Sequence, residues 1–174
     1  MPEEPTKRLF FALYPSVLLR EAIMRSINED LPHSVKTVPI DNIHLTLMFM
    51  GSCTLSQQSD YIAAAETVHV QGFKLELDYL DQFNKAKILW LGARQVPAEL
   101  LRLYAALSDA LKLAGYDSSP QTYRPHVTMA RNFRGDVPAY SKCIRWNVES
   151  FSLMESRSTD QGVRYIELES WPLG

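Results

Sequence analysis

Cysteine and glycine are scarce in this chain, and each scarcity removes a class of function. Cys53 and Cys143 are its two cysteines, 90 positions apart and in no C-x-x-C pattern. A disulfide framework and a thiolate zinc site are therefore not expected, and two free thiols are. The seven glycines form neither G-x-G-x-x-G nor G-x-x-x-x-G-K-[ST], so neither a dinucleotide fingerprint nor a phosphate loop is present. No apolar run approaches the roughly 20 residues that span a bilayer. The opening "MPEEPTKRLFFALYPS" has an apolar run of six residues, preceded by glutamates and closed by Pro15, unlike a secretion signal. A soluble cytoplasmic protein without membrane contact is expected. Net charge is −2 over 174 residues, so no global positive field would gather a polyanion, and any anionic partner must be recognised locally. Low-complexity tracts and Gly/Ser linkers are also missing, which predicts one domain over 1–174.

What is present is a regular alternation of strand and helix patterns. Lys7–Tyr14 is short, apolar and aromatic, as a buried strand should be. Leu19, Ile23, Ile27 and Leu31 recur at four-residue spacing and give a helix one apolar face. A strand over 43–50, a helix over 56–68, and strands over 73–79 and 87–92 follow. Pro97 opens a helix lined by Leu100, Tyr104, Leu107 and Leu111, with Gly115 as its cap. A strand over 124–130 and two late strands near 144–155 and 163–169 complete the pattern.

The chain also repeats itself. "PSVLLR" begins at Pro15 and "PAELLR" at Pro97, an offset of 82; His44 and His126 share that offset, as do Thr46 and Thr128. Duplication of a β-α-β unit explains two matches at one offset better than chance. It predicts that the two H-x-T strands face one cleft.

On a strand, residues i and i+2 share a face. His44 and Thr46 then project together, with Ile43, Leu45, Leu47 and Phe49 directed into the core; Met48 and Met50 share the His44 face and are expected at the cleft. His126 and Thr128 project together over Val127 and Met129. Each strand offers an imidazole and a hydroxyl about 7 Å apart, a span that suits a phosphate. Threonine is a poor zinc ligand, and no Asp or Glu lies at i±2 of either histidine, so a metal site is disfavoured. No G-x-S-x-G elbow marks a serine triad. Two histidines suit phosphodiester chemistry without metal or cofactor. One neutral ring activates water, one imidazolium protonates the departing oxygen, and threonine hydroxyls bind the non-bridging oxygens.

"NIHLTLMFMG" and "YRPHVTMAR" resemble the paired H-x-T-x motifs of the two-histidine phosphoesterase superfamily, and with "RLFFAL" they resemble its LigT/ThpR branch of RNA 2′,3′-cyclic phosphodiesterases. The resemblance covers essentially the whole chain. It implies a bilobal α+β fold with antiparallel sheets forming a central cleft and helices outside. It also implies hydrolysis of terminal 2′,3′-cyclic phosphates of RNA 3′ ends or nucleotides to 2′-phosphomonoesters, by a monomer. His44 inherits the proton-donor role, His126 the base role, and Thr46 and Thr128 phosphate binding; the near-symmetric motifs do not assign acid and base by themselves. Arg131 matches an arginine common after the second motif, although strict alternation turns it away from His126 unless a bulge redirects it. Arg124 has the His126 parity, with a structural ion pair as the alternative, and Phe10 or Phe11 is either a base-stacking ring or core. His33 and His69 carry no motif and are expected on the surface. The alternatives are 2′-5′ RNA end joining, hydrolysis of 2′-5′ oligonucleotides or cyclic nucleotides, and a silent RNA-end-binding module.

Overall fold

The computed structural model describes residues 2–117 and 121–174. Nine strands and three helices alternate along these residues: β1 (Thr6–Leu13), α1 (Val17–Asn28), β2 (Leu45–Thr54), α2 (Leu55–Glu66), β3 (Phe73–Leu77), β4 (Tyr79–Phe83), β5 (Ile88–Gly92), α3 (Ala98–Leu113), β6 (Val127–Arg131), β7 (Ile144–Val148), β8 (Ser150–Thr159) and β9 (Gly162–Pro172). Seven strands make one antiparallel sheet in the order β4-β5-β6-β2-β1-β8-β9, and β3 pairs with β7 in a second. The expected α+β architecture is present. Its two halves share a single sheet, in which β6 and β2, then β5 and β1, are equivalent about the β2–β6 seam.

One face of the large sheet is covered. Leu9, Phe11 and Leu13 of β1, Leu45 and Leu47 of β2 and Val127 and Met129 of β6 pack with Ile23 and Ile27 of α1, Tyr61 and Ala65 of α2, and Leu100, Leu103, Leu107 and Leu111 of α3. Full burial of one such leucine stabilises the fold by about 2 kcal/mol. The small sheet joins this core through Leu75, Leu77, Trp146 and Val148. The helices start where sequence chemistry directs. The Ser16 hydroxyl accepts from the Leu19 amide, and Thr54 and Gln57 form a reciprocal capping box. At the end of α3, Gly115 adopts φ +91° while the Tyr116 amide reaches back to the Leu111 carbonyl, closing a left-handed cap.

Several boundaries differ from the sequence expectation. β4 adds a strand immediately after β3, and the segment expected as one strand over 144–155 is two, β7 and β8, in different sheets. The paired arginines of the repeat also diverge. Arg20 is buried, with Nη1 donating to the Pro15 carbonyl at 2.6 Å, whereas Arg102 lies exposed beside Glu99.

The largest correction concerns alternation in β2. Its pairing with β1 shifts between Phe11 and Ala12: Phe11 faces Met48 but Ala12 faces Thr46, leaving Leu47 as an extra residue. This bulge turns Met48 into the core beside Leu47, and Phe49 swings out to 51% exposure. Met48 and Met50 therefore belong to the core and not to the cleft, and Phe49 takes the place expected of them. A second shift lies between Leu9 and Phe10, where Gly51 adopts φ +74° with open space around it. Gly51→Ala therefore meets no clash and bears only the left-handed backbone penalty, about 1 kcal/mol. The melting temperature should fall by roughly 2–4 °C with kcat unchanged; a parental melt would show that this bulge does not need glycine.

Candidate active site

The uncovered face of the sheet carries the two motifs. β2 meets β6 at one register pair, Leu45 opposite Val127, and antiparallel alternation about that pair puts His44 on the side of Thr128 and Thr46 on the side of His126. The two histidines are then diagonal neighbours, about 7–8 Å apart at the backbone. Each immediately precedes the first residue of its strand, and both are partly buried. Their Nδ1 atoms are held alike: His44 Nδ1–H donates to the Asn42 carbonyl at 2.7 Å, and His126 Nδ1–H to the Arg124 carbonyl at 2.8 Å. That tautomer leaves both Nε2 atoms for chemistry. In His44 the Nε2 atom lies 2.9 Å from Thr46 Oγ1, whose hydroxyl donates to the neutral ring.

β6 repeats the bulge of β2. Leu89 of β5 faces Ala130 and Trp90 faces Thr128, so Met129 is the extra residue, 82 positions after Leu47. Met129 and Ala130 both turn into the core, and Arg131 returns to the Thr128 face. Arg131 and Phe49 are thus equivalent positions, each carried to the cleft by the same device. The carbonyl of the extra residue is not wasted: Val38 N–H bonds to Met129 O at 2.8 Å, and Thr37 bridges Ala130.

A cleft of about 940 Å³ opens here, lined by His44, Thr128, Arg131 and Phe49 among others. Thr46 and His126 are not among the residues lining it; they stand beside that wall on the same sheet face. Arg124 is exposed, its guanidinium 5.8 Å from the centre of the Phe83 ring, with no carboxylate partner among the described residues. Phe11 is core, and Phe10 is 1% exposed beneath His44, so neither offers a stacking surface. His33 and His69 are exposed, away from the cleft lining. Among the described residues no group of three His, Cys, Asp or Glu side chains could hold a metal ion.

Aromatic brackets around both imidazoles were not legible in the sequence. Phe10 and Tyr165 flank His44 with ring centres 5.0 and 4.9 Å away, and Phe83 and Trp90 flank His126 at 5.0 and 6.2 Å. Burial pushes His44 down to about 4, with the positive charges of Arg131 and His126 acting in the same direction against the Asn42 hydrogen bond. Burial likewise lowers His126, assisted by Arg131 and Arg124. Both rings are neutral in the free protein at pH 7.

Gly92 seats the second bracket, because a Cβ there would meet Trp90 Cζ3 at 2.6 Å. Gly92→Ala should displace the indole from His126 and let the imidazole titrate nearer 6.5. An NMR pH titration of the His126 ring reads this directly; an unchanged midpoint would show that Trp90 does not shield the ring.

Residues 19–160 match the family model described as the 2′-5′ RNA ligase superfamily. The RNA 2′,3′-cyclic phosphodiesterase of Escherichia coli K12 is 30% identical over 170 residues, covering 96% of this chain and 97% of that protein. The protein of the same name from Thermus thermophilus is 27% identical over 95% of this chain and 90% of its own length. In three dimensions, the crystal structure of E. coli LigT complexed with 3′-AMP matches with a TM-score of 0.86 at 29% identity, covering 97% of this chain and 99% of that one. With its paired H-x-T strands and a family match over most of its length, the chain belongs to the 2′-5′ RNA ligase superfamily, the two-histidine phosphoesterases.

Proposed function

We propose that the protein is an RNA 2′,3′-cyclic phosphodiesterase, converting terminal cyclic phosphates of RNA or nucleotides to 2′-phosphomonoesters without a metal. The observation that carries this reading is the diagonal pair of imidazoles on one sheet face, each with Nδ1 bonded to the carbonyl two residues before it. It agrees with the activity that names the E. coli and T. thermophilus relatives.

In the reaction, His126 Nε2 removes a proton from water as the water oxygen attacks phosphorus. The bond from phosphorus to the 3′ oxygen breaks, and the imidazolium of His44 gives that oxygen its proton. The product carries a 2′-phosphate and a 3′-hydroxyl, and the proton gained by His126 returns to His44 through solvent. Thr128 and Arg131 bind the non-bridging oxygens, where charge develops. Thr46 orients the His44 Nε2 and binds phosphate once that ring donates elsewhere. His44 is neutral in the free protein, so an anionic phosphate must supply the counter-charge that protonates it. Phe49, exposed at the cleft lip and stacked on Phe10 at 5.8 Å, offers the ring face that Phe10 itself cannot. It suits a nucleobase.

The first test is hydrolysis of a nucleoside 2′,3′-cyclic phosphate in EDTA, with the product isomer identified. Turnover should persist and yield the 2′-phosphate; dependence on added metal would contradict the mechanism. His44→Ala and His126→Ala should each lower kcat by about 10²-fold or more. Thr128→Val keeps the strand shape but removes a donor, and should lower kcat by about 10²-fold with a parental melt.

The pH profile supplies a further test. A base must be neutral and an acid protonated, so kcat/KM is bell-shaped with limbs set by the free protein. Because both pKa values lie below 6.5, both limbs should fall there, the one set by His44 near 4. The kcat profile, which reports the bound complex, should move to higher pH because phosphate favours the imidazolium. A basic limb of kcat/KM at or above 6.5 would show that the rings are not depressed in solution.

A further inference from the structure

Duplication makes the two halves alike at the histidines and unlike two residues before them. Asn42 and Arg124 are equivalent positions, 82 apart, and the carbonyl of each accepts from the Nδ1–H of its histidine. Their side chains have nothing in common. Arg124 is exposed, with its guanidinium near the Phe83 ring. Asn42 is half-buried and lines the cleft. Its Nδ2–H donates to the Val163 carbonyl at 2.8 Å, and its Oδ1 accepts from the Tyr165 amide at 3.3 Å.

Both partners belong to β9, the edge strand of the large sheet. A carbonyl and an amide two residues apart on a strand are what a parallel neighbour pairs with, giving its N–H to one and accepting from the other. The primary amide of Asn42 carries the same donor and acceptor, and it stands in for a missing strand at this edge. The consequence reaches His44. Tyr165 sets its ring edge-to-face with the imidazole at 4.9 Å and 86°, and packs against Phe10 at 5.0 Å. The turn that carries Asn42 is itself pinned. Its amide donates to the Pro39 carbonyl at 2.9 Å, the Tyr14 hydroxyl to the Asp41 carbonyl at 2.9 Å, and the buried Arg20 reaches the Asp41 carboxylate at 3.5 Å. In the second half, the exposed Arg102 pairs with Glu99 of its own helix instead.

We propose that Asn42 is a positioning residue for His44: its carbonyl fixes the tautomer of the ring, while its side-chain amide fastens β9, and with it Tyr165, against the ring. This rests on the cyclic phosphodiesterase reading, in which His44 protonates the departing oxygen. One residue then sets both the hydrogen-bond acceptor and the aromatic bracket of the acid, so rotation of the ring loses the acceptor and meets the bracket. Arg124 supplies the acceptor alone, and the bracket of His126 is seated elsewhere, by Gly92. The near-identical motifs conceal this asymmetry between acid and base.

The test joins histidine NMR on the free protein to steady-state kinetics. Asn42→Ala keeps the carbonyl and deletes the amide. Tyr165 is then released from the ring, and the His44 midpoint should rise from about 4 toward 6.5, because burial outweighs the carbonyl bond at this ring. Arg131 and His126, which act on the ring from the β6 side, remain in place and limit the rise. A second tautomer should appear at His44, and kcat should fall by about tenfold, part of what an ångström of misplacement can cost. Tyr165→Leu removes the ring but keeps the backbone amide that Asn42 accepts from. It should raise the His44 midpoint as Asn42→Ala does, and the double variant should shift it no further. Asn147→Ala, at an exposed asparagine of β7, should leave midpoint and kcat parental. A lower melting temperature for Asn42→Ala with a parental His44 midpoint and tautomer would overturn the proposal, as would shifts from the two substitutions that add in full. If Asn42→Ala does not fold, Tyr165→Leu decides alone, and a parental His44 midpoint there overturns the proposal. The NMR readings need no substrate, so a parent inactive on a nucleoside 2′,3′-cyclic phosphate would overturn the reading of the reaction and not the placement of the ring.

Discussion

Leu45 of β2 faces Val127 of β6 where the two halves of the large sheet meet, and the geometry of the site follows from that one register pair. A slip of one residue would send every side chain of one strand to the opposite face. Leu45 and Val127 are both fully enclosed in the core, so the slip would exchange buried apolar side chains for a histidine and a threonine. The cost of burying those polar groups locks the register, and the locked register places the two imidazoles diagonally across the seam. Further along β6, the segment carrying Thr37 and Val38 takes the place of β2 at its edge, with Val38 N–H bonded to Met129 O and Thr37 bridging Ala130.

Opposed electrostatic effects then set the chemistry. A carbonyl accepting from Nδ1 favours the imidazolium, yet burial outweighs it at both rings, and the nearby arginine adds to the depression. The aromatic brackets contribute to that burial while fixing the planes of the rings. The free protein therefore has neutral imidazoles beside a positively charged arginine. A bound phosphate monoanion reverses the balance, because its charge acts at close range in a partly dehydrated cleft. In the proposed reaction, the acid form is created by the substrate that uses it. The same logic would let a chain of slight negative charge recognise an anion: the compensation is local, in a cleft with no aspartate or glutamate among the described lining residues, and not in the field of the whole molecule.

Much of this was legible from residue order. The 82-residue offset foretold equivalent strands, and the alternation His44–Leu45–Thr46 and His126–Val127–Thr128 placed both motifs on one face. Proline starts and leucine spacing located α1 and α3. Alternation failed one residue past each threonine, since a bulge is a property of two paired strands and has no signature in one. Phe49 was expected in the core for that reason, and Arg131 needed a bulge that the sequence alone could only require. The offset itself held a usable signal, because Phe49 and Arg131 are 82 apart. The brackets were hidden for a different reason: Phe10, Phe83, Trp90 and Tyr165 come from four strands, and only the sheet order brings them to the histidines. The break at Glu149 between β7 and β8 was missed because an unbroken β pattern carries no mark of a change of sheet.

Whether one phosphate touches both rings is the question on which the proposed chemistry rests, and histidine NMR answers it most directly. With ring nitrogens labelled, the free protein should show both His44 and His126 as Nδ1–H tautomers at pH 7. Saturation with a nucleoside 2′-monophosphate should shift both Nε2 resonances and raise the midpoint of His44 from its depressed value. If only one ring responds to the nucleotide, or if His44 is already an imidazolium at pH 7 without ligand, the two histidines do not act on a shared phosphate in the manner described.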